Sequence, residues 1–197
     1  MPAGPDPSPL QRVAAWYEDA VATGIPEPDA IALATADAAG RLSVRFVLLK
    51  GIDERGVRFF TNHESRKARE LAANPHAALA AHWQPLGRQV RLEGAVERLD
   101  DTESDAYFAT RGRGSRIGAW ASEQSSELPD RAALDARVRA VEERFAGVEI
   151  PRPDFWGGYL LRPDVIELWT GRPDRLHDRE EWRLDAGGDW RVRRLSP

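Results

Sequence analysis

The 197-residue chain is long enough for one well-buried domain and short for two. Its 32 acidic and 28 basic residues give a formal charge of −4, which excludes a global basic field for nucleic acid, and its lack of cysteine excludes disulfides, a thiolate nucleophile and cysteine-based metal sites. No apolar run approaches the roughly 18 residues of a membrane span, so no membrane partner is expected. The proline-rich start lacks the regions of a secretory signal, and we expect a flexible arm at 1–9, one domain at 10–197 and a cytoplasmic location.

Hydrophobic spacing predicts four helices and a larger number of strands. A capping box with proline at the first helical position, Ser8-Pro9-Leu10-Gln11, starts the first helix, which ends at Gly24. Further helices are predicted at 65–73, 101–110 and 129–145. Period-two alternation between turn residues predicts strands at 30–37, 42–50, 57–62, 77–83, 89–99, 158–161, 165–170, 175–184 and 190–195. Many short strands with few helices indicate a mainly β barrel or sandwich with peripheral helices.

Three polar residues recur at a spacing of four near the end of the third predicted helix. If the helix continues, Tyr107, Arg111 and Ser115 lie on one face, where a phenol, a guanidinium and a hydroxyl can all donate to a phosphate. An exposed helical face with an incidental arginine is the alternative, because Gly112 and Gly114 disfavour a continuous helix.

Basic residues mark two further candidate anion sites. Alternation along the second strand places Arg45 and Lys50 on opposite faces, although charges flanking an apolar run also serve as strand-end gatekeepers. Arg66 and Lys67 follow Ser65 at a helix start, where free N–H groups and the helix dipole favour a bound anion. A solvated turn is the alternative there.

The segment 175–179 places two arginines around a histidine. If it is a strand, Arg175, His177 and Arg179 share one face, and such a row is costly unless an anion lies against it. The four histidines have no paired metal-ligand spacing, so no metal site is predicted. Trp120, Trp156 and Trp169 are either core residues or a flat wall for an aromatic cofactor.

Several blocks of sequence, in order and at matching intervals from about residue 10 to 197, resemble the pyridoxamine 5′-phosphate oxidase family, also called pyridoxine 5′-phosphate oxidase. The blocks are RFVLLK at 45–50, FTN at 60–62, SRK at 65–67, RQV at 88–90, SRIGAW at 115–120, QSS at 124–126, FWGG at 155–158 and RLHDR at 175–179. The resemblance implies an FMN-binding split barrel, an antiparallel Greek-key barrel, that forms a homodimer with FMN at the subunit interface.

The resemblance also assigns roles to residues. It implies that FMN is bound by Arg45, Phe46, Val47, Leu48, Leu49, Lys50, Phe60, Thr61, Arg66, Lys67, Gln89, Gln124, Ser125, Trp169 and Arg179. It also implies that the substrate phosphate is bound by Lys50, Tyr107, Arg111 and Ser115. The substrate ring is contacted by Arg175, Leu176 and His177. Of these, Arg175 and His177 are the candidate catalytic residues. Relatives carry a longer N-terminal arm with Arg and Tyr that folds over the substrate, and 1–9 contains neither residue type.

The implied reaction is FMN-dependent oxidation of pyridoxamine or pyridoxine 5′-phosphate to pyridoxal 5′-phosphate, with O2 reduced to hydrogen peroxide. Two other functions remain open on the same fold. One is a phenazine-pathway flavin oxidase, whose substrate carries a carboxylate and no phosphate. The other is a non-enzymatic protein that stores flavin or sequesters another cofactor.

Overall fold

The computed structural model describes residues 7–197 and contains five helices and nine strands in that range. The helices are α1 Pro9–Ala22, α2 Arg66–Ala73, α3 Asp101–Thr110, α4 Arg113–Ala121 and α5 Arg131–Arg144. The strands are β1 Ala30–Ala36, β2 Leu42–Leu48, β3 Gly51–Asp53, β4 Gly56–Asn62, β5 His76–Trp83, β6 Arg88–Arg98, β7 Trp156–Thr170, β8 Asp178–Leu184 and β9 Trp190–Arg194. None of the helices in this range is long and apolar enough to cross a membrane.

All nine strands belong to one antiparallel sheet. Its main order is β2-β1-β5-β6-β7-β4-β3, and β8 and β9 extend it from β7. The sheet curls until β2 touches β4, and the apolar side chains of its inner face form the main core with those of α1 and α2. The mainly β fold with peripheral helices is therefore confirmed.

The first helix begins as its capping box predicts. Ser8 Oγ accepts from the backbone N–H of Gln11, and the Gln11 side chain accepts from the backbone N–H of Ser8. The expected arm at 1–9 lies mainly at 1–6, outside the described residues, and Pro9 already belongs to α1.

The strands predicted at 158–161 and 165–170 form one continuous strand, β7. The prediction of a break around Pro163 was wrong, because a register shift at Glu93 and Gly94 of β6 accommodates the proline. A Cβ on Gly94 would lie 2.1 Å from the Arg162 carbonyl oxygen, so only glycine permits this approach. The long strand then pairs with β6 on one side and with β4 and β8 on the other.

The strand predicted at 175–184 begins only at Asp178. The preceding residues form a 3-10 turn, Pro173–Arg175, in which Asp174 and Arg175 have φ of 56° and 60°. The predicted row of Arg175, His177 and Arg179 on one strand face was therefore wrong, because left-handed backbone interrupts the alternation.

Candidate active site

A cavity of ≈ 840 Å³ opens where β2, β4, α2, α3 and α4 meet. Basic, hydroxyl and aromatic side chains line it, a mixture that suits an anionic aromatic ligand. The lining residues are Arg45, Phe46, Val47, Leu48, Lys50, Phe60, Thr61, Asn62, Lys67, Tyr107, Arg111, Ser115, Gly118, Ala119, Ser122, Gln124 and Trp156. Twelve of the predicted binding residues are thus brought together by tertiary folding.

Two helices, and not one, carry Tyr107, Arg111 and Ser115 to the cavity. α3 ends at Thr110, Arg111 has an extended backbone, and α4 starts after Gly112. Arg116 holds this break, because its Nε donates to the Arg111 carbonyl at 2.7 Å and its Nη2 donates to the Ala109 carbonyl at 3.2 Å. The helix does not continue to Ser115, in line with the effect expected of Gly112 and Gly114, yet all three side chains line the cavity.

The Arg111 guanidinium is held by an aromatic ring and not by a carboxylate. Its Cζ lies 4.6 Å from the centroid of Trp156, and its buried Nη1 has no hydrogen-bond partner among the described residues. Within residues 7–197, no acidic side chain forms an ion pair with it. Burial lowers its pKa, although an arginine stays protonated in proteins. An orphaned buried donor of this kind predicts an anionic ligand.

An aromatic stack forms the wall beside Arg111. The Phe60 and Tyr107 rings are 3.9 Å apart between centroids, and the Phe60 and Trp156 rings are 5.7 Å apart. Gly158 makes room for this stack, since a Cβ there would lie 2.7 Å from Phe60 Cε1 and 2.5 Å from Leu99 Cδ1. The stack fixes both the Tyr107 phenol and the ring under Arg111.

On another part of the cavity wall, Lys67 lies among hydroxyl and amide groups. Its Nζ donates to Thr61 Oγ1 and Gln124 Oε1, each at 3.0 Å, and Thr61 itself bonds Gln124 at 2.8 Å. Burial, together with the charge of Arg45, lowers the pKa of Lys67 to about 8, against the opposite effect of Glu70. A buried cation surrounded by neutral groups is a suitable site for a phosphate.

Arg45 and Lys50 line the same cavity. The structure ends β2 at Leu48, so the strand alternation that predicted opposite faces for them does not extend to Lys50. Lys50 forms an ion pair with Asp29 at 2.6 Å between Nζ and Oδ2. Leu49 is buried in the core and does not line the cavity.

Two predicted phosphate or ribityl contacts lie outside the cavity lining. Arg66 is exposed at the start of α2, with its Nε 2.8 Å from Glu70 Oε1. Ser125 is exposed and has φ of 73°. Their assigned roles stay predictions.

A second group of predicted residues lies on β6, β7 and β8 and just before β8, and we call it the β6–β8 cluster. Its members are Gln89, Trp169, His177 and Arg179. Gln89 pairs with Trp169 across β6 and β7, and Trp169 pairs with Arg179 across β7 and β8. Arg179 forms two hydrogen bonds with the buried Glu167, at 2.7 and 3.1 Å. These bonds raise its pKa, against the effect of burial.

His177 packs against Trp169, with ring centroids 4.5 Å apart. Its Nδ1 accepts from the backbone N–H of Arg172 at 3.1 Å, so the neutral ring carries its proton on Nε2. His177 and Arg179 line a pocket of ≈ 300 Å³, whereas Arg175 and Leu176 are exposed and do not line it. Across residues 7–197, no group of His, Asp and Glu residues is arranged to hold a metal ion.

The ≈ 840 Å³ cavity and the ≈ 300 Å³ pocket share no lining residue. One chain alone therefore does not bring segment 175–179 to the ≈ 840 Å³ cavity. Sequence analysis also missed Glu70, a buried carboxylate that contacts Arg45 and Arg66. Its spacing of four from Arg66 on a predicted helix was the available signal.

Known proteins match this chain over nearly its full length. A family model described as pyridoxamine 5′-phosphate oxidase matches residues 17–145, and one described as the pyridoxine 5′-phosphate oxidase C-terminal dimerisation region matches 156–197. A pyridoxine/pyridoxamine 5′-phosphate oxidase from Cupriavidus necator is 57% identical over 97% of this chain and 90% of its own length. One from Ralstonia nicotianae is 55% identical over 98% of this chain and 90% of its own length.

Two solved structures share the fold. PhzG from Burkholderia lata, in complex with tetrahydrophenazine-1-carboxylic acid, has a TM-score of 0.91 and 37% identity, covering 100% of this chain and 97% of its own. A pyridoxamine 5′-phosphate oxidase-related, FMN-binding protein from Nostoc punctiforme has a TM-score of 0.75 at 18% identity and covers 100% of both chains. The second likeness supports the split-barrel fold alone.

Proposed function

Because this chain belongs to the pyridoxamine 5′-phosphate oxidase family, we propose that it uses FMN to oxidise pyridoxamine and pyridoxine 5′-phosphate to pyridoxal 5′-phosphate, with O2 reduced to hydrogen peroxide. The observation that carries the proposal is one cavity with two separate cationic clusters. The flavin-phosphate cluster consists of Arg45 and Lys67 on the cavity wall and Arg66 outside the lining at the start of α2. The substrate-phosphate cluster consists of Lys50, Tyr107, Arg111 and Ser115. Two phosphorylated ligands need two such clusters.

The flavin-phosphate cluster has the donor set that FMN requires. Lys67 and Arg45 supply cationic donors at the cavity wall, while Thr61 and Gln124 supply neutral polar groups for the ribityl chain. The apolar stretch Phe46–Leu48 beside them suits the flat ring system. These residues fit FMN in chemistry and in number.

The substrate-phosphate cluster accounts for the unpartnered guanidinium. A phosphate bound by Arg111 receives the free Nη1 donor, with the Tyr107 and Ser115 hydroxyls and Lys50 lining the same cavity. Binding energy from this non-reacting phosphate orients the distant carbon that is oxidised. A substrate without phosphate leaves the buried charge of Arg111 unpaired.

When bound, FMN supplies the two-electron acceptor for the substrate carbon, and O2 is the final acceptor. The residues of the chain bind and orient the reactants. His177 offers an Nε2–H donor, because its Nδ1 is already engaged by the backbone of Arg172. Arg175 is exposed on a left-handed turn, and the proposal assigns it to the substrate ring bound by another protomer. Arg179, bonded to Glu167, is a fixed cation for the flavin.

The complete site is proposed to form between two protomers. The β6–β8 cluster of one protomer then completes the cavity of the other. β2 presents an apolar face, Leu42, Val44, Phe46 and Leu48, and the first three side chains are 78%, 69% and 75% exposed. Phe46 and Leu48 also line the cavity, so a partner that covers this face reaches the ligand. The matched C-terminal dimerisation region, 156–197, contains three of the four residues of the β6–β8 cluster.

Mixing two inactive variants tests this assembly. Arg111→Met and His177→Ala remove residues that the proposal places in different protomers of one site. Random pairing makes half of the dimers mixed, each with one intact site, so activity returns to about a quarter of the normal level. If mixing restores nothing although mixed dimers form, the two residues belong to the same protomer's site.

A flavin absorption experiment tests the reaction. The FMN absorption of the purified protein is expected to bleach when pyridoxamine 5′-phosphate is added without oxygen, and to recover with air as peroxide and aldehyde appear. Protein that binds FMN but forms neither product refutes the oxidase and favours flavin storage.

The cytoplasmic location and the single domain at 10–197 belong to the same proposal. Cell fractionation tests the location, and limited proteolysis tests the single domain.

The phenazine-pathway oxidase is the second candidate, because PhzG shares the fold at 37% identity. Its carboxylate substrate does not explain why Lys50, Tyr107, Arg111 and Ser115 all line the cavity. Inorganic phosphate distinguishes the two candidates. It is expected to compete with the substrate at the oxidase's substrate-phosphate cluster. Oxidation of tetrahydrophenazine-1-carboxylic acid at a rate that phosphate leaves unchanged supports the alternative.

A further inference from the structure

A buried carboxylate lies next to the flavin-phosphate cluster. Glu70 is on α2, is 5% exposed and accepts hydrogen bonds from four side chains. Its Oε2 accepts from Thr35 Oγ1 at 2.5 Å, Ser43 Oγ at 2.6 Å and Arg45 Nη2 at 3.3 Å, and its Oε1 accepts from Arg66 Nε at 2.8 Å. Glu70 therefore joins β1, β2 and α2 at one point.

The carboxylate is ionised under ordinary conditions. Burial raises the pKa of Glu70, but hydrogen bonds from Ser43, Thr35 and Arg66 and the charge of Arg45 outweigh burial and lower the pKa to about 2. A buried negative charge beside a phosphate site repels the phosphate. If the site had to maximise only its attraction for phosphate, glutamate would be unfavourable at this position.

The contacts of Arg45 indicate what this charge does. Its Nη1 donates to Thr35 Oγ1 at 2.6 Å and to the Leu33 carbonyl at 3.1 Å, and Nη2 donates to Ser43 and Glu70. Thr35 and Ser43 are in turn bound to Glu70. The Arg45 guanidinium is thereby fixed in one plane. The Nε of Arg66 is bound to Glu70, and neither of its Nη groups has a hydrogen-bond partner among residues 7–197.

We propose that Glu70 is a positioning residue for the flavin phosphate, holding Arg45 and Arg66 in the orientation that binds it, without touching the phosphate itself. This inference rests on the proposed placement of the FMN phosphate at Arg45, Arg66 and Lys67. An arginine that is ordered before binding loses less side-chain entropy when the ligand arrives. That gain must exceed the repulsion between Glu70 and the phosphate.

Affinities for FMN and riboflavin separate positioning from general stability, because riboflavin lacks the phosphate. Full-length protein stripped of flavin is titrated with each flavin by fluorescence quenching. Glu70→Ala is expected to weaken FMN binding about tenfold, the effect of losing one charge-assisted network, with riboflavin affinity changed by less than about twofold. The ratio of FMN to riboflavin affinity therefore falls.

Two further variants sharpen the test. Glu70→Gln is expected to have an intermediate effect, because its amide oxygen can serve Thr35, Ser43 and Arg45, while its NH2 group faces the Arg66 donor. Ser43→Ala keeps the charge of Glu70 but removes one donor, so it gives a smaller fall and replaces Glu70→Ala if that variant does not fold. Glu103→Gln, on an ion pair with Arg55 outside both clusters, is the matched control and leaves the ratio unchanged.

Three results would overturn the inference. A rise in FMN affinity on loss of Glu70 means that repulsion outweighs positioning. Equal losses of FMN and riboflavin affinity, with a lower unfolding temperature, mean that Glu70 serves only the fold. If the unmodified protein binds both flavins equally, the proposed placement of the FMN phosphate is wrong, and so is the inference that rests on it. A lower ratio in the variants, against an intact preference for FMN in the control, supports it.

Discussion

The two cationic clusters of the cavity differ in how their charge is balanced. In the flavin-phosphate cluster, Arg45 and Arg66 both bond the buried Glu70, and Lys67 has three polar partners. In the substrate-phosphate cluster, Arg111 lies over Trp156, and its buried Nη1 has no hydrogen-bond partner in the part of the chain that the structure describes. One cluster is organised before its ligand arrives, whereas the central arginine of the other is unsatisfied until then.

The difference matches the two kinds of ligand in the proposed function. A cofactor that stays bound through many turnovers gains from rigid donors, which lower the entropy cost of binding. A substrate that must leave after each turnover gains from a donor that no carboxylate on the protein competes for. Part of the positive charge of the substrate-phosphate cluster is balanced, because Lys50 forms an ion pair with Asp29. The contrast therefore concerns Arg111 above all.

The largest effect is expected for Arg111→Met. It removes the orphaned donor, so kcat/KM for pyridoxamine 5′-phosphate should fall about a hundredfold, the scale of a lost charge-assisted phosphate contact. Because it also removes a buried, unpaired polar group, the unfolding temperature without substrate should not fall. Steady-state kinetics and thermal unfolding check both results. A clear loss of stability would show that Arg111 is satisfied without substrate, and the contrast would fail.

A pH titration of FMN affinity tests the flavin-phosphate cluster. Lys67, with a pKa lowered to about 8 by burial and by Arg45, is a cation below that pH and becomes neutral above it. FMN affinity should therefore weaken about tenfold between pH 7 and pH 9.5, as the attraction to phosphate is lost. Lys67→Arg keeps its charge and should flatten the profile. An unchanged slope in that variant would exclude Lys67 as the titrating group.

Lys67 should make the flavin-free protein more stable as the pH rises, whereas it makes FMN affinity weaker. Between about pH 8 and the ordinary lysine value of 10.5, the unfolded chain holds more protons than the folded one. The contribution of this group to the free energy of unfolding therefore rises with pH in that window. Comparing denaturant unfolding of the unmodified protein and Lys67→Met at both ends of the window measures it.

The smallest effect is expected for Gly158→Ala, which acts on the aromatic stack beside Arg111. The added Cβ meets Leu99 Cδ1 and Phe60 Cε1 at 2.5 and 2.7 Å and displaces the ring stacked on Tyr107. Overpacking should cost about 1–3 kcal/mol of stability. KM for the substrate should rise a few-fold, while FMN affinity is nearly unchanged. A parallel loss of FMN affinity would show that the two clusters are mechanically coupled.

Local pattern predicted much of the fold. The capping box at Ser8, the helix at 101–110 and most strands were correct, because each depends on neighbouring residues. The errors have both distant and local causes. Pro163 remains in β7 because Gly94 of β6 accommodates it, and β2 ends at Leu48 although the apolar run continues to Leu49.

Sequence alone determined which residues of this chain can hold anions, and the resemblance assigned them to two phosphates. Only the tertiary structure decided which of them meet. Tyr107, Arg111 and Ser115 converge through a break between two helices, and segment 175–179 lies away from the cavity that it was expected to border. The balance of charge at Glu70 and Arg111 was also invisible in sequence, because burial and partners at a few ångströms depend on how the whole sheet folds.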